Sequence, residues 1–264
     1  MTEPPEIRTD RRGRALWIWI DREHRRNAMN KAVLAGIEAA IAATRTDPAI
    51  RAIVLTGAGR KAFCAGADLT GGTATFTLGL DDPMTDFGKL ARLVRDCGVP
   101  IVGRINGDCV AGGMALMGLC DLTVVASNAR FGLPEAKVGV FPMQVLVFLR
   151  HTIGARHVNQ LCLTGDLIDA QRAYEIGLAN TVVPFEDLDA SVEILLGKLY
   201  DMSPVALRRG KYAIAAMEQM AFPEAMAFAE TLIAVTSLTN DATEGLAAFN
   251  ERRKPSWQQE VDHG

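Results

Sequence analysis

Two glycine-rich segments hold the residues best suited to chemistry. The first, AIVLTGAGRKAFCAGADL, runs from Ala52 to Leu69 behind an apolar, strand-like stretch. The second, INGDCVAGGM, runs from Ile105 to Met114 and opens a helix that continues to Cys120. Small residues let a backbone approach a ligand closely. A helix N-terminus adds unsatisfied N–H groups and the positive end of the dipole. Two backbone N–H groups from separate loops, converging on one carbonyl oxygen, form an oxyanion hole. Either segment alone fits a plain tight turn equally well; the pair, in this order, points to a site.

The first segment has a competing reading. Gly57-x-Gly59-x-x-Ala62 meets a loose dinucleotide fingerprint, and Asp81 follows the strand-like TATFTLGL stretch, 22 residues past Gly59. Three features weigh against a nucleotide reductase. The fingerprint sits behind a full strand-helix unit rather than opening the domain. Gly66, Gly71 and Gly72 break any long helix after Ala62. None of Tyr174, Tyr200 and Tyr212 has a lysine four residues on. Other chemistries lack their residues: there is no G-x-S-x-G, no P-loop and no H-E-x-x-H. His151 and His157 have no cysteine or carboxylate at ligand spacing, so no metal site is expected. His24 and His263 read as surface residues.

The elements that must position these segments follow from hydrophobic period. ALWIWI (Ala15–Ile20), AIVL (Ala52–Leu55), PIVGRI (Pro100–Ile105), LTVVA (Leu122–Ala126) and ANTVV (Ala179–Val183) read as strands. Residues 30–45 carry Val33, Ile37 and Ile41 at helical spacing behind an Asn30 cap. Strands separated by helices imply parallel pairing and an α/β fold. From Glu186 the strands stop. Helices are expected over 186–201, from Ser203–Pro204 onward, over 224–238 and over 241–252.

Composition bounds the function. The chain has 264 residues, a net charge of −3 and a pI near 5.9, with only short basic clusters at Arg25–Arg26 and Arg252–Lys254. Nucleic-acid binding needs a denser cationic surface. Five scattered cysteines without C-x-x-C read as reduced thiols. The first fourteen residues show no apolar signal core, and the longest apolar run, Val110–Cys120, is eleven residues, too short to span a bilayer. A cytoplasmic protein with no membrane partner is expected.

In order and spacing, residues 10–258 resemble the crotonase superfamily of enoyl-CoA hydratases and isomerases. The likeness rests on F-x-A-G-x-D-L (Phe63–Leu69), N-G-x-x-x-x-G-G (Asn106–Gly113), Cys120-Asp121 and FGLPE (Phe131–Glu135). It continues through L-T-G-D-x-x-x-A-x-x-A-x-x-x-G-L (Leu163–Leu178) to F-x-x-R-R-K-P (Phe249–Pro255). The resemblance implies a spiral of repeated ββα units over residues 1–185. A helical region over 186–264 would serve oligomerisation, as a trimer or hexamer, and complete the coenzyme A site.

The resemblance also implies site residues. The Ala67 and Gly112 N–H groups would hold a thioester oxygen, with Ala65, Gly66, Asp68, Leu69 and Gly113 around them. Asp68 would order its loop. Glu135 would be the acid/base. Arg25–Met29, Lys61–Ala67, Phe249 and Arg252 would contact coenzyme A, which is part of the substrate; no separate cofactor is implied. Two departures stand out. The hydratases' other glutamate is here Ala115, and their glycine-rich turn after the proline is here Met143-Gln144-Val145-Leu146, placing Met143 near the acyl chain. One carboxylate suits movement of a double bond from the 3- to the 2-position, whereas hydration readily uses two. Hydration, isomerisation and an acyl-CoA-binding homologue with impaired catalysis all stay open.

Overall fold

The computed structural model describes residues 5–78 and 81–258; His263 lies outside the described residues. The chain begins with β1 (Ile7–Arg12), β2 (Ala15–Ile20) and α1 (Lys31–Ala43), and then repeats that order. β3 (Ala52–Gly57), β4 (Ala62–Cys64) and α2 (Asp86–Arg95) form the next turn of the spiral. β5 (Ile101–Ile105), β6 (Asp108–Val110) and α3 (Gly112–Met117) follow, then β7 (Leu122–Ala126), β8 (Arg130–Gly132) and α4 (Met143–Thr152). α5 (Ala155–Thr164), β9 (Ile168–Asp169), α6 (Ala170–Glu175) and β10 (Thr181–Val183) close the α/β part.

From β3 to β8, each ββα turn gives its first strand to one sheet and its second to another. The large sheet runs β1-β2-β3-β5-β7-β10 and the small one β4-β6-β8-β9. This is the ββα spiral that the resemblance implies. Pairing is parallel as expected, except that β1 joins β2 and β9 joins β8 antiparallel. The large sheet is buried on both faces, so its alternate residues enter two different cores. Ile18, Ile20, Ile53, Leu55, Ile101 and Ile105 pack towards α1, α2 and α3. Trp17, Trp19, Val54, Val102 and Val124 pack against α7 (Leu188–Tyr200), which presents Leu188, Val192 and Leu196 at four-residue spacing.

The caps read from sequence form: Asn30 Oδ1 accepts from Val33 N–H and Ser203 Oγ from Ala206 N–H, both at 2.9 Å. The strand-like TATFTLGL stretch is corrected. Leu69–Phe76 coils as 3-10 turns broken at Gly72, where φ is +58°, and Gly79 and Leu80 lie outside the described residues. The acid-bearing strand that the dinucleotide reading needs is therefore not formed over Thr73–Phe76. After α7 come α8 (Pro204–Met217), α9 (Phe222–Ser237) and α10 (Asn240–Glu251). Neither α8 nor α9 buries a single residue.

Candidate active site

A groove of about 1420 Å³ is lined in part by residues that follow the small sheet's strands, Ala65 and Ala67 after β4, Ala111 and Gly112 after β6, and Pro134 and Glu135 after β8. The two glycine-rich segments meet at its floor. Asn106 and Asn27, both fully buried, knot the first segment in place. Each donates to the Ala62 carbonyl, at 3.0 and 2.7 Å, and Asn106 Oδ1 also accepts from Gly57 N–H. Gly113 is buried so tightly on the Cys64 carbonyl that a Cβ would collide with it. These contacts bring the 63–69 loop against the N-terminus of α3. A Cβ on Gly66 would sit 3.1 Å from the Gly112 nitrogen, and one on Gly112 would sit 3.5 Å from the Ala67 nitrogen.

The direction of the two amides follows from their bonding. Ala67 pairs with Met29 in a single parallel bridge, in which Met29 N–H donates to Gly66 O and Asp68 N–H to Met29 O. Such a bridge turns the N–H of Ala67 itself away from Met29. Gly112 is the first residue of α3, where an amide has no helical acceptor. It follows Ala111, whose backbone stands at φ +51°, ψ −131° with a Cβ attached. A non-glycine held there stores on the order of 1–3 kcal/mol, the kind of strain that gathers at functional sites.

Nine of the site residues read from the sequence line the groove: Arg25, Ala65, Ala67, Asp68, Leu69, Gly112, Ala115, Glu135 and Met143. Gly66 and Gly113 do not line it; they shape its floor from behind. Phe249 and Arg252 stand at the end of α10, outside this groove and exposed.

Electrostatics separates the groove's carboxylates. Arg22, only 6% exposed, lies 2.7 Å from Glu6 and 2.9 Å from Asp68. Bonds from the Thr70 hydroxyl and amide, together with Arg22, pull Asp68 down to about 2. Asp68 thus ties its loop together, accepting from Arg22 and from the Thr70 amide and hydroxyl. Asp82 and Asp86 share Lys89. Glu135 differs. It sits in a 3-10 turn, Pro134–Val138, directly after β8. Burial raises its carboxyl above the usual range, its own backbone amide opposing in part, and Oε2 has no hydrogen-bond partner among the described residues. Lys137, two residues on, spends its ammonium on the Gly165 carbonyl at 2.8 Å. Glu135 is the groove carboxylate with no cation beside it among the described residues. Ala115, in the middle of α3, is 2% exposed and brings no acid. Met114 and Met117 pack in the core.

Sequence reasoning named Leu69 and Met143 but missed the other side chains of the groove's far wall. Gln144 Nε2 donates to Thr85 Oγ1 at 2.6 Å, tying the start of α4 to the cap of α2. Leu69, Phe76, Leu78, Met84 and Val138 line the groove beside Met143. No period marks these residues, because loops carry them. The buried Arg22 was missed too; only its place in a loop otherwise rich in exposed arginines could have singled it out.

The sequence profile of the enoyl-CoA hydratase/isomerase family matches residues 12–260. The chain is 33% identical to the crotonyl-CoA hydratase of Syntrophomonas wolfei, over 91% of this chain and 93% of that protein. It is 32% identical to the 2,3-dehydroadipyl-CoA hydratase of Escherichia coli, over 96% of this chain and 98% of that one. Among solved structures it is similar to an enoyl-CoA hydratase of Mycobacterium smegmatis, with a TM-score of 0.90 at 29% identity, over 97% of this chain and 100% of that one. The chain belongs to the enoyl-CoA hydratase/isomerase family. It is an enzyme of the hydratase or isomerase type. Among the described residues no helix is long and apolar enough to cross a membrane.

Proposed function

We propose that the protein acts on an enoyl thioester of coenzyme A through an enolate, with Glu135 as its single acid/base. The observation that carries this reading is the isolation of Glu135: half-buried, raised and unpaired, while every other groove carboxylate has a cation. The thioester oxygen is taken by the Ala67 and Gly112 amides, a loss of either being worth about 3–4 kcal/mol in comparable holes. That stabilisation acidifies the α-carbon enough for a carboxylate to remove its proton.

With Ala115 in place of a second acid, one carboxylate has to do both proton transfers. Double-bond migration meets this condition. Glu135 takes a proton from carbon 2 of a 3-enoyl thioester, the electrons pass to the thioester oxygen, and the same carboxyl returns a proton at carbon 4. Atoms and charge balance with no water consumed. Hydration of a 2-enoyl thioester is the second reading, favoured by the names of the hydratases to which the chain is similar. It requires water to serve as both nucleophile and proton source at Glu135.

The coenzyme A moiety lies along Arg25–Met29 and the Lys61–Ala67 loop. Phe249 and Arg252 reach it from a neighbouring copy. The bare apolar surface of the last three helices supports assembly as a trimer or paired trimer: Ile214, Phe222, Leu238 and Phe249 are each more than 75% exposed in the single chain. Exposure on this scale is what a subunit interface leaves when its partner is removed.

The test is mass spectrometry of 2-enoyl- and 3-enoyl-CoA incubated with the enzyme in heavy water. Deuterium uptake with a moved double bond and no added water is the expected result. A gain of one water on the 2-enoyl substrate selects hydration instead. Neither change, over a panel of chain lengths, contradicts the acyl-CoA reading.

A further inference from the structure

We infer that the groove is built for an acyl chain longer than four carbons with an apolar end, and that it turns away a chain ending in a carboxylate. The inference rests on the acyl-CoA reading above and narrows it. Six large apolar side chains line the groove while more than 40% exposed: Leu69, Phe76, Leu78, Met84, Val138 and Met143. Apolar surface left open to water inside a single concavity marks a binding site for apolar matter. A four-carbon acyl group is too small to cover so much of it. Two of the six are methionines, whose unbranched thioethers adapt to tails of differing shape. The Gln144–Thr85 hydrogen bond ties the residues adjoining those two methionines, which keeps them in one stretch of wall.

Charge decides the second half of the inference. An acyl chain with a terminal carboxylate needs a free cation at its far end, because a buried unpaired carboxylate is costly. The cations of that wall are already taken. Lys89 faces two acids, Asp82 and Asp86, so this part of the wall carries surplus negative charge. Lys137 is bound to the Gly165 carbonyl and Arg22 to Glu6 and Asp68. Arg25 and Lys31 also line the groove, Arg25 on the segment assigned above to coenzyme A and Lys31 two residues past its end, at the start of α1. A terminal carboxylate meets apolar side chains and like charge. The specificity therefore differs from what either relative's name states, being longer than crotonyl and unlike a dicarboxylic acyl group.

The experiment measures kcat/KM of the full-length enzyme for four-, eight- and twelve-carbon enoyl-CoA and for a six-carbon enoyl-CoA with a terminal carboxylate. In parallel, isothermal titration gives the dissociation constants of butyryl-, octanoyl- and adipoyl-CoA, a readout independent of turnover. Burial of each added methylene is worth up to about fourfold. With walls only partly closed, the eight-carbon substrate is expected to exceed the four-carbon one by about tenfold or more, in both readouts. The carboxylate-ended chain is expected to fall at least about tenfold below the eight-carbon one. Met84→Ser with Val138→Ser should flatten the length dependence. Asp82→Asn with Asp86→Asn, which frees the Lys89 ammonium, should narrow the carboxylate penalty. A kcat/KM and affinity that are flat or fall with length overturn the inference while leaving the acyl-CoA reading standing. Absence of both turnover and binding for every thioester overturns the two together.

Discussion

The two walls of the groove are built on different terms. The amide wall, around Ala67 and Gly112, is backbone held by buried groups: Asn27 and Asn106 on the Ala62 carbonyl, Gly113 on Cys64, Arg22 across to Asp68. The opposite wall, from Glu135 through Met143, is side chains on turns, half-exposed and sparsely bonded. In the proposed reaction one wall fixes where a thioester oxygen goes. The other decides what happens to it and which acyl chain fits. Damage to the first should therefore appear mainly as lost stability, and damage to the second mainly as lost or altered activity.

The largest expected effect is on the reactive wall. Glu135→Gln should lower kcat by about 10²–10⁴, the range for a positioned acid/base. Burial raises this carboxyl's pKa in the folded state, so its favourable contribution to stability is present at low pH and lost as pH rises through the folded value. The glutamine variant should hence be at least as heat-stable as the parent at neutral pH, which calorimetry can check. A melting temperature that falls along with activity would erase the contrast between the walls.

On the amide wall, Asp68→Ala leaves the buried Arg22 guanidinium with Glu6 and the Ala28 carbonyl. It should cost about 3 kcal/mol in urea unfolding, the lower end for breaking a buried pair. The carboxyl of Asp68 is held near 2, so its contribution is full above the unfolded value of about 4 and is lost as pH falls towards 2. Gly113→Ala should cost about 1–3 kcal/mol by overpacking against Cys64.

A smaller effect sharpens the comparison through pH. If ionised Glu135 is the base, kcat/KM should rise with pH along an acid limb placed above the ordinary carboxylate value, since burial raises this group. A limb at or below that value would place the base elsewhere. The smallest effect expected is on the stability of Met143→Ser, within about 0.5 kcal/mol because the side chain is 67% exposed.

The same contrast explains what the sequence discloses. The amide wall was legible because glycine and asparagine at fixed spacing state a backbone requirement, and each of the two motifs carrying it is under ten residues long. The long strands of the large sheet were legible too, being apolar on both faces. β1 was not: IRTDRR is an edge strand with five of its six residues exposed, and its polarity hides it. β4, β6 and β8 have three residues each, too few to show a period, so the small sheet was invisible except through family likeness. The reactive wall was legible at Glu135 only through the FGLPE motif, and the missing second acid at Ala115 only through the glycine motif that opens α3. Leu78, Met84 and Val138 come together by loop packing that no local pattern encodes.

In the proposed reaction Ala67 and Gly112 hold an enolate whose proton Glu135 moves. This is tested most directly with a saturated acyl-CoA, which offers neither a double bond to shift nor one to hydrate. Incubated in heavy water with the enzyme, octanoyl-CoA should exchange its α-protons for deuterium, as read by mass spectrometry, and the Glu135→Gln variant should not catalyse the exchange. Exchange that proceeds undiminished in that variant would contradict the account.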